Sequence, residues 1–268
     1  MDKYLIALDM DGTLLNSSLQ IEKKTSSYLS YLEKQGHIVV IASGRPFRSI
    51  EPYYNELGLT SPCICYNGAY IYSSSHEFEE DAFFIPKEVC IDVVSSLDRS
   101  RLINVMCENS SSMHLLHQDD VLGKYFFMDK IDIIYGELKD TLKDDPNIII
   151  FRASDEKEDF KENITQAVEK HGLKIRFWSG LSSFSEIYSP YVTKAHALNK
   201  IASYYHIKKE NIIAFGDAPN DLEMLEEAGI GVAMKNASSE LLSKAKYVTP
   251  FDNNHEGIYH FLKEFFEK

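Results

Sequence analysis

No stretch of this 268-residue chain approaches the ~20 consecutive apolar residues that a membrane-spanning helix needs, which excludes an integral helical membrane protein. Its first residues lack the basic, apolar and small-residue order of a secretory signal, so a cytoplasmic location is expected. Positive charge is scarce: 28 Lys and Arg stand against 41 Asp and Glu, for a net charge of −13, and no basic cluster offsets it. That argues against nucleic acid and against an anionic membrane surface as partners. Any anionic ligand must be met by a few local cations. Cysteine is also sparse, and Cys63, Cys65, Cys90 and Cys107 lack the spacing of a zinc site, so they read as reduced packing residues. Nothing in 44% hydrophobic and 26% charged residues suggests disorder, and the length admits two domains or one generous α/β domain. The chain is taken as a monomer or small homo-oligomer.

What the sequence does have is Tyr4-Leu5-Ile6-Ala7-Leu8-Asp9-Met10-Asp11-Gly12-Thr13-Leu14-Leu15, an apolar run that ends in two carboxylates, a glycine and a threonine. A continuous apolar run this short suits a strand covered on both faces, as in a parallel sheet. The acids then lie at its carboxyl end, the edge where open α/β sheets bind ligands. Residues two apart on extended backbone point the same way, so Asp9 and Asp11 are expected to share one pocket. Two such carboxylates repel by roughly 3 kcal/mol at about 5 Å and an effective dielectric of about 20. The pair needs a proton or a cation, and a hard divalent cation is the natural partner.

The same design recurs. His37-Ile38-Val39-Val40-Ile41-Ala42 reads as a second parallel strand, preceded by a helix over 21–35 and followed by Ser43-Gly44-Arg45-Pro46 and a helix to about Leu57. Ser43 is either an N-cap or a hydroxyl that joins backbone N–H groups on a phosphate oxygen. Residues 63–66 read as a third strand, Asn67-Gly68 as a turn, and 67–72 as the partner of 83–85 across a polar loop over 73–81. Lys194, in the first turn of a helix, is either solvated or a site residue. Ile212-Ile213-Ala214-Phe215-Gly216-Asp217-Ala218-Pro219-Asn220-Asp221 is again a strand, a glycine and acids, with Asp217 at the strand exit and Asp221 reading as a helix cap or as a support behind the site residues. From 86 to 189 the βα alternation gives way to strand-like runs at 103–107, 113–116, 147–152, 173–178 and 184–188 with helical stretches between them; 121–135 is ambiguous. The expected organisation is a Rossmann-like parallel-sheet core, helices on both faces, made of 1–85 and 190–268 and interrupted by an inserted α+β domain over 86–189. His114, His117, His171 and Trp178 are candidate contacts within the insert, although surface or core roles suit them better.

On these motifs the sequence resembles the haloacid dehalogenase superfamily, and its Cof-like branch with an α/β cap. The resemblance implies that Asp9 is a nucleophile and Asp11 a general acid/base, and that the second Asp marks phosphoryl chemistry rather than dehalogenation. It implies that Ser43, Lys194 and Asn220, with the backbone N–H groups of Met10 and Gly44, hold the transferring phosphoryl group. It further implies Mg2+ held by Asp9, Asp217 and the carbonyl of Asp11, and a small phosphorylated metabolite as substrate, sugar phosphates first. A phosphomutase similar to phosphomannomutases and a non-catalytic sensor of a phosphorylated metabolite are the alternatives. Near the end of the chain Asn253 is the nearest match to a family Asn, while His255 stands in a usually acidic place, which leaves both without an assigned role.

Overall fold

The computed structural model describes residues 2–75, 78–154, 157–178 and 184–267. The chain divides into two compact units, Met1–Asp81 with Thr193–Lys268, and Ala82–Val192. It begins with β1 (Leu5–Leu8), α1 (Lys23–Lys34), β2 (Ile38–Ile41), α2 (Phe47–Leu57), β3 (Cys63–Cys65), β4 (Tyr70–Tyr72) and β5 (Asp81–Ala82). The second unit carries α3 (Lys87–Ser96), β6 (Leu102–Glu108), β7 (Ser112–Leu115), α4 (Asp120–Tyr125), β8 (Asp132–Tyr135), α5 (Leu138–Thr141), β9 (Ile148–Ala153), α6 (Glu158–Glu169), β10 (Lys174–Phe177) and β11 (Phe184–Tyr188). The first unit resumes with α7 (Lys194–Tyr204), β12 (Ile212–Gly216), α8 (Leu222–Glu227), β13 (Ile230–Ala233), α9 (Ser239–Lys244), β14 (Tyr247–Val248) and α10 (Gly257–Phe266).

In the first unit five parallel strands run in the order β14-β13-β12-β1-β2. All four residues of β1 are buried, because the sheet is covered on both faces. Alternation decides which side each residue takes. Leu5, Ala7, Val40, Ile212 and Ala214 pack with Leu198 and Ile201 of α7, Met224 and Leu225 of α8, and Leu241 of α9. On the other face Phe215 meets Phe261 of α10 edge-on, with ring centroids 5.5 Å apart. Register fixes the site: Leu8 of β1 lies between Phe215 of β12 and Ile41 of β2, so the residues that follow these three strands emerge side by side. This is the expected α/β class with a parallel-sheet core.

The expected hairpin is corrected. β4 pairs with β3 on one side and β5 on the other, so the outer partner is Asp81–Ala82 and not 83–85. Ile85 instead lies in the apolar core of the second unit, where its amide donates to Pro146. Residues 76 and 77 of the intervening loop lie outside the described residues. β3 pairs with β2 through an isolated parallel bridge between Ala42 and Ile64. The second unit is a six-stranded sheet, order β10-β11-β9-β6-β7-β8, antiparallel except where β7 meets β8. Val105, Cys107, Ile149, Phe151 and Ile187 face Val93 and Val94 of α3 and Ile164 and Val168 of α6. The ambiguous 121–135 stretch resolves into α4 and β8. All four cysteines are free and buried, in keeping with a packing role.

Candidate active site

Asp9 stays on the sheet edge, its amide donating to Phe215 O at 3.1 Å, and is only 6% exposed. The chain then folds back on itself through Leu14 N to Asp9 O (3.1 Å) and Leu15 N to Met10 O (2.9 Å). Gly12 has φ +81°, and a Cβ there would lie 2.3 Å from Asp217 Oδ2, so the Asp217 carboxylate occupies the space a side chain would need. Thr13 Oγ1 donates to Asp217 Oδ1 at 2.9 Å. The Gly-Thr pair thus seats the carboxylate of β12 against the loop of β1.

Lys194 opens α7 and its side chain is fully buried, so the solvated alternative falls away. Its Nζ donates to Asp9 Oδ1 and, at 2.7 Å, to Asp221 Oδ1. Asp221 is 0% exposed, and its Oδ2 accepts the amides of Asp217 and Ala218, each at 3.0 Å. Both its oxygens are spent on donors, which makes it an anchor for Lys194 and for the Asp217 turn.

Asp9, Asp217 and Asp221 each bring one oxygen within 4.8 Å of the others. Three carboxylates around one ammonium leave an excess of negative charge. Burial and then Asp221 push the Asp9 carboxyl well above its usual range, and Lys194 offsets this only in part. Asp217 is pushed up to about 6, chiefly by burial and against the Thr13 hydrogen bond. Burial alone would lower the Lys194 pKa, but Asp221 and Asp9 outweigh it and hold the ammonium charged. An all-oxygen set with uncompensated charge fits a hard divalent cation.

Asp11 departs from the expectation of a pocket shared with Asp9. Its side chain is 54% exposed and forms a two-pronged ion pair with Arg45, through Nη2 to Oδ1 and Nε to Oδ2 at 2.7 Å. It does not join the carboxylate cluster, because a guanidinium already supplies its counter-charge; the cation needed by the Asp9 carboxylate is the buried Lys194. The metal role expected of Asp11 is that of its backbone carbonyl, which this side-chain pairing does not involve.

Ser43 is 1% exposed, and its Oγ accepts the Arg45 amide at 3.2 Å; α2 is preceded by Pro46, so Ser43 is not its N-cap. Asn67 N donates to Ser43 O at 2.9 Å, and a Cβ on Gly44 would lie 3.2 Å from Asn67 Nδ2. Asn220 Nδ2 donates to Asn67 Oδ1 at 3.0 Å, so the loops after β2, β3 and β12 meet at Asn67. Met10 is fully buried. Arg45, Thr13 and Asn67 were missed as site residues. The only signals for them were that Arg45 and Thr13 lie inside motifs already read, and that Asn67-Gly68 marks a turn. Asn253 braces the β1 loop, its Nδ2 donating to Leu15 O at 2.8 Å, beside Asn236, which donates to Gly12 O at 2.8 Å. His255 is paired with Asp252 at the surface. In the second unit His114 is 3% exposed, His117 bonds Ile103 O and Gln118 O, His171 pairs with Asp92, and Trp178 packs on Phe126 and Phe184.

Known proteins resemble this chain along nearly its whole length. The sequence profile of the haloacid dehalogenase-like hydrolases matches residues 6–262. The chain is 34% identical to the 5-amino-6-(5-phospho-D-ribitylamino)uracil phosphatase YitU of Bacillus subtilis, over 98% of this chain and 97% of that protein. It is 27% identical to a second phosphatase of that name, YcsE, from the same organism, over 93% and 90% of the two chains. A haloacid dehalogenase-like hydrolase from Bacteroides thetaiotaomicron superposes with a TM-score of 0.81 at 26% identity, covering 99% of this chain and 100% of the other. No helix of the described residues is long and apolar enough to cross a membrane. With a matching profile across nearly its whole length and named phosphatases among its relatives, the chain belongs to the haloacid dehalogenase-like hydrolases, as a phosphatase of small phosphorylated compounds.

Proposed function

We propose that this protein is a magnesium-dependent, cytosolic phosphatase that passes the phosphoryl group through an aspartyl-phosphate on Asp9. The observation that carries the reading is the meeting of Asp9, Asp217 and the buried Lys194 at the ends of β1 and β12 and the start of α7. Asp9 and Asp217 would hold Mg2+ with the carbonyl of Asp11, and the ion when bound would neutralise the carboxylates and the phosphoryl oxygens. Lys194 fixes Asp9 Oδ1 and so orients the carboxylate. Asp9 attacks phosphorus and the bond to the leaving oxygen breaks; Asp11 supplies that oxygen's proton. A water then attacks the phosphoenzyme while Asp11 takes its proton. Ser43, Asn220 and the amides of Met10 and Gly44 are assigned to the remaining phosphate oxygens.

The unit Ala82–Val192 is assigned as the cap that selects the substrate. We take that substrate to be a phosphate ester at the end of a sugar or sugar-alcohol chain. Both named relatives bear the name of a ribityl phosphate, which makes this compound the first to test. A phosphate-release screen over sugar phosphates, sugar-alcohol phosphates and flavin precursors, with chelator and then with Mg2+, tests the whole reading. Turnover should require Mg2+ and vanish in Asp9→Asn. Near wild-type turnover in that variant, or full activity in chelator, would overturn the assignment.

A further inference from the structure

We infer that Asn67 is a positioning residue, which aims the side-chain amide of Asn220 at the phosphoryl group of the substrate. The inference rests on the proposed phosphate-binding role of Asn220. Just after β3, Tyr66, Asn67 and Gly68 have φ of +48°, +55° and +105°, three left-handed residues in succession. Only glycine takes that region freely, so two side chains held there in a row are strained, and the surrounding structure has to hold them in place. Tyr66 is buried and its amide donates to Arg45 O at 3.2 Å, while the Asn67 amide donates to Ser43 O at 2.9 Å. The turn is thus anchored on the loop that follows β2. Against α7 it packs backbone to backbone: a Cβ on Gly68 would lie 2.4 Å from Thr193 O, the carbonyl just before Lys194.

What the strained turn places is the Asn67 side chain. Its amide occupies the space that Gly44 leaves open, where a Cβ would lie 3.2 Å from Nδ2 and 3.3 Å from Oδ1. Its Oδ1 accepts an N–H of Asn220 Nδ2 at 3.0 Å. An asparagine amide is planar, with two N–H donors at one end and an acceptor oxygen at the other, so this one bond fixes both the direction and the sense of the Asn220 group. The second N–H of Nδ2 is then set in place to donate to an anion. Without Asn67 the amide is at liberty to turn end for end and offer its carbonyl oxygen, which repels a phosphate. Loss of Asn67 therefore weakens the hold on phosphate through Asn220.

The test measures the binding of inorganic phosphate by titration calorimetry with Mg2+ present, which needs no turnover. Asn67→Gly suits the left-handed backbone, so the turn keeps its shape while the side chain is lost. The variant should keep a urea midpoint at or above that of wild type and bind phosphate at least about tenfold more weakly, the share of one hydrogen bond to a charged group. A smaller loss overturns the inference. Made on Asn220→Ala, the same substitution should cost less than about a further threefold, because the residue through which it acts is already gone, and a larger further loss overturns the inference. This comparison also decides should Asn67→Gly lower the urea midpoint, since a disturbed fold weakens phosphate binding in either background. Unchanged phosphate binding in Asn220→Ala by itself would instead count against the proposed phosphate site, on which the inference stands.

Discussion

At the scale of single residues the site is an electrostatic compromise, and Asp217 carries a measurable share of it. Its folded pKa of about 6 stands above the ordinary 3.8, so between these values the folded chain binds more protons than the unfolded one. Stability from this group is complete below about pH 4 and is lost as pH rises through 6, a difference on the order of 2–3 kcal/mol. Asp217→Asn keeps an acceptor for Thr13 and removes the charge. In chelator at pH 7 the variant should therefore be more stable than wild type by about 2 kcal/mol, with the gain fading below pH 4. Mg2+ should raise the melting temperature of wild type and leave the variant unchanged, since only wild type then keeps both of the proposed cation ligands. Melting curves across pH with and without the ion check this, and parallel curves for the two proteins would contradict it. Lys194 is the opposite case. Lys194→Met removes the ammonium between two buried carboxylates and should cost about 3–5 kcal/mol in urea denaturation, because the charges left behind are unpaired.

At the scale of elements, most of this architecture was legible because parallel strands deliver their carboxyl ends to one edge. Three apolar runs, each ending in polar residues, were enough to bring Asp9, Ser43 and Asp217 to neighbouring strand ends. Pairings between separate loops were not legible, since no local pattern encodes them. Asp11 and Arg45 are 34 residues apart, and nothing in either motif says which cation meets which acid. The apolar run at 83–85 drew the hairpin reading because a strand partner is sought among apolar residues. Backbone pairing asks for none, and Asp81–Ala82 took the place. β8 falls in the stretch that is ambiguous by sequence because it is largely exposed and shows no alternation of burial. Another silent contact is the cap of α1, whose own N-cap Glu22 makes no capping bond with its side chain. Glu256, 231 residues from Thr25, accepts the amides of Lys24 at 3.0 Å and Thr25 at 2.8 Å and the Thr25 hydroxyl at 2.7 Å. Its φ of +58° is equally strained for alanine, so Glu256→Ala isolates the carboxylate. The substitution should cost about 1–2 kcal/mol, read as a lower urea midpoint at an unchanged slope.

At the scale of the whole molecule, two cores are built from different stretches of chain. One gathers Leu5, Ala7, Ile212 and Leu241 with their neighbours, and the other Val105, Ile149, Phe151 and Ile164. The carboxylates proposed to hold the cation belong entirely to the first unit, so stabilisation by Mg2+ should act on that unit alone. Phe151 is 0% exposed in the second core, and Phe151→Ala should remove about 3–5 kcal/mol there through lost transfer energy and a cavity. For a unit of this size a loss of each kcal/mol lowers the midpoint by about 4–8 °C. Calorimetry of the variant should therefore show a transition that moves down by more than about 10 °C and does not respond to Mg2+, beside one that stays in place and rises with the ion. A single transition that shifts as a whole and follows Mg2+ throughout would mean that the two cores unfold as one cooperative body, and that the second unit draws its stability from the first.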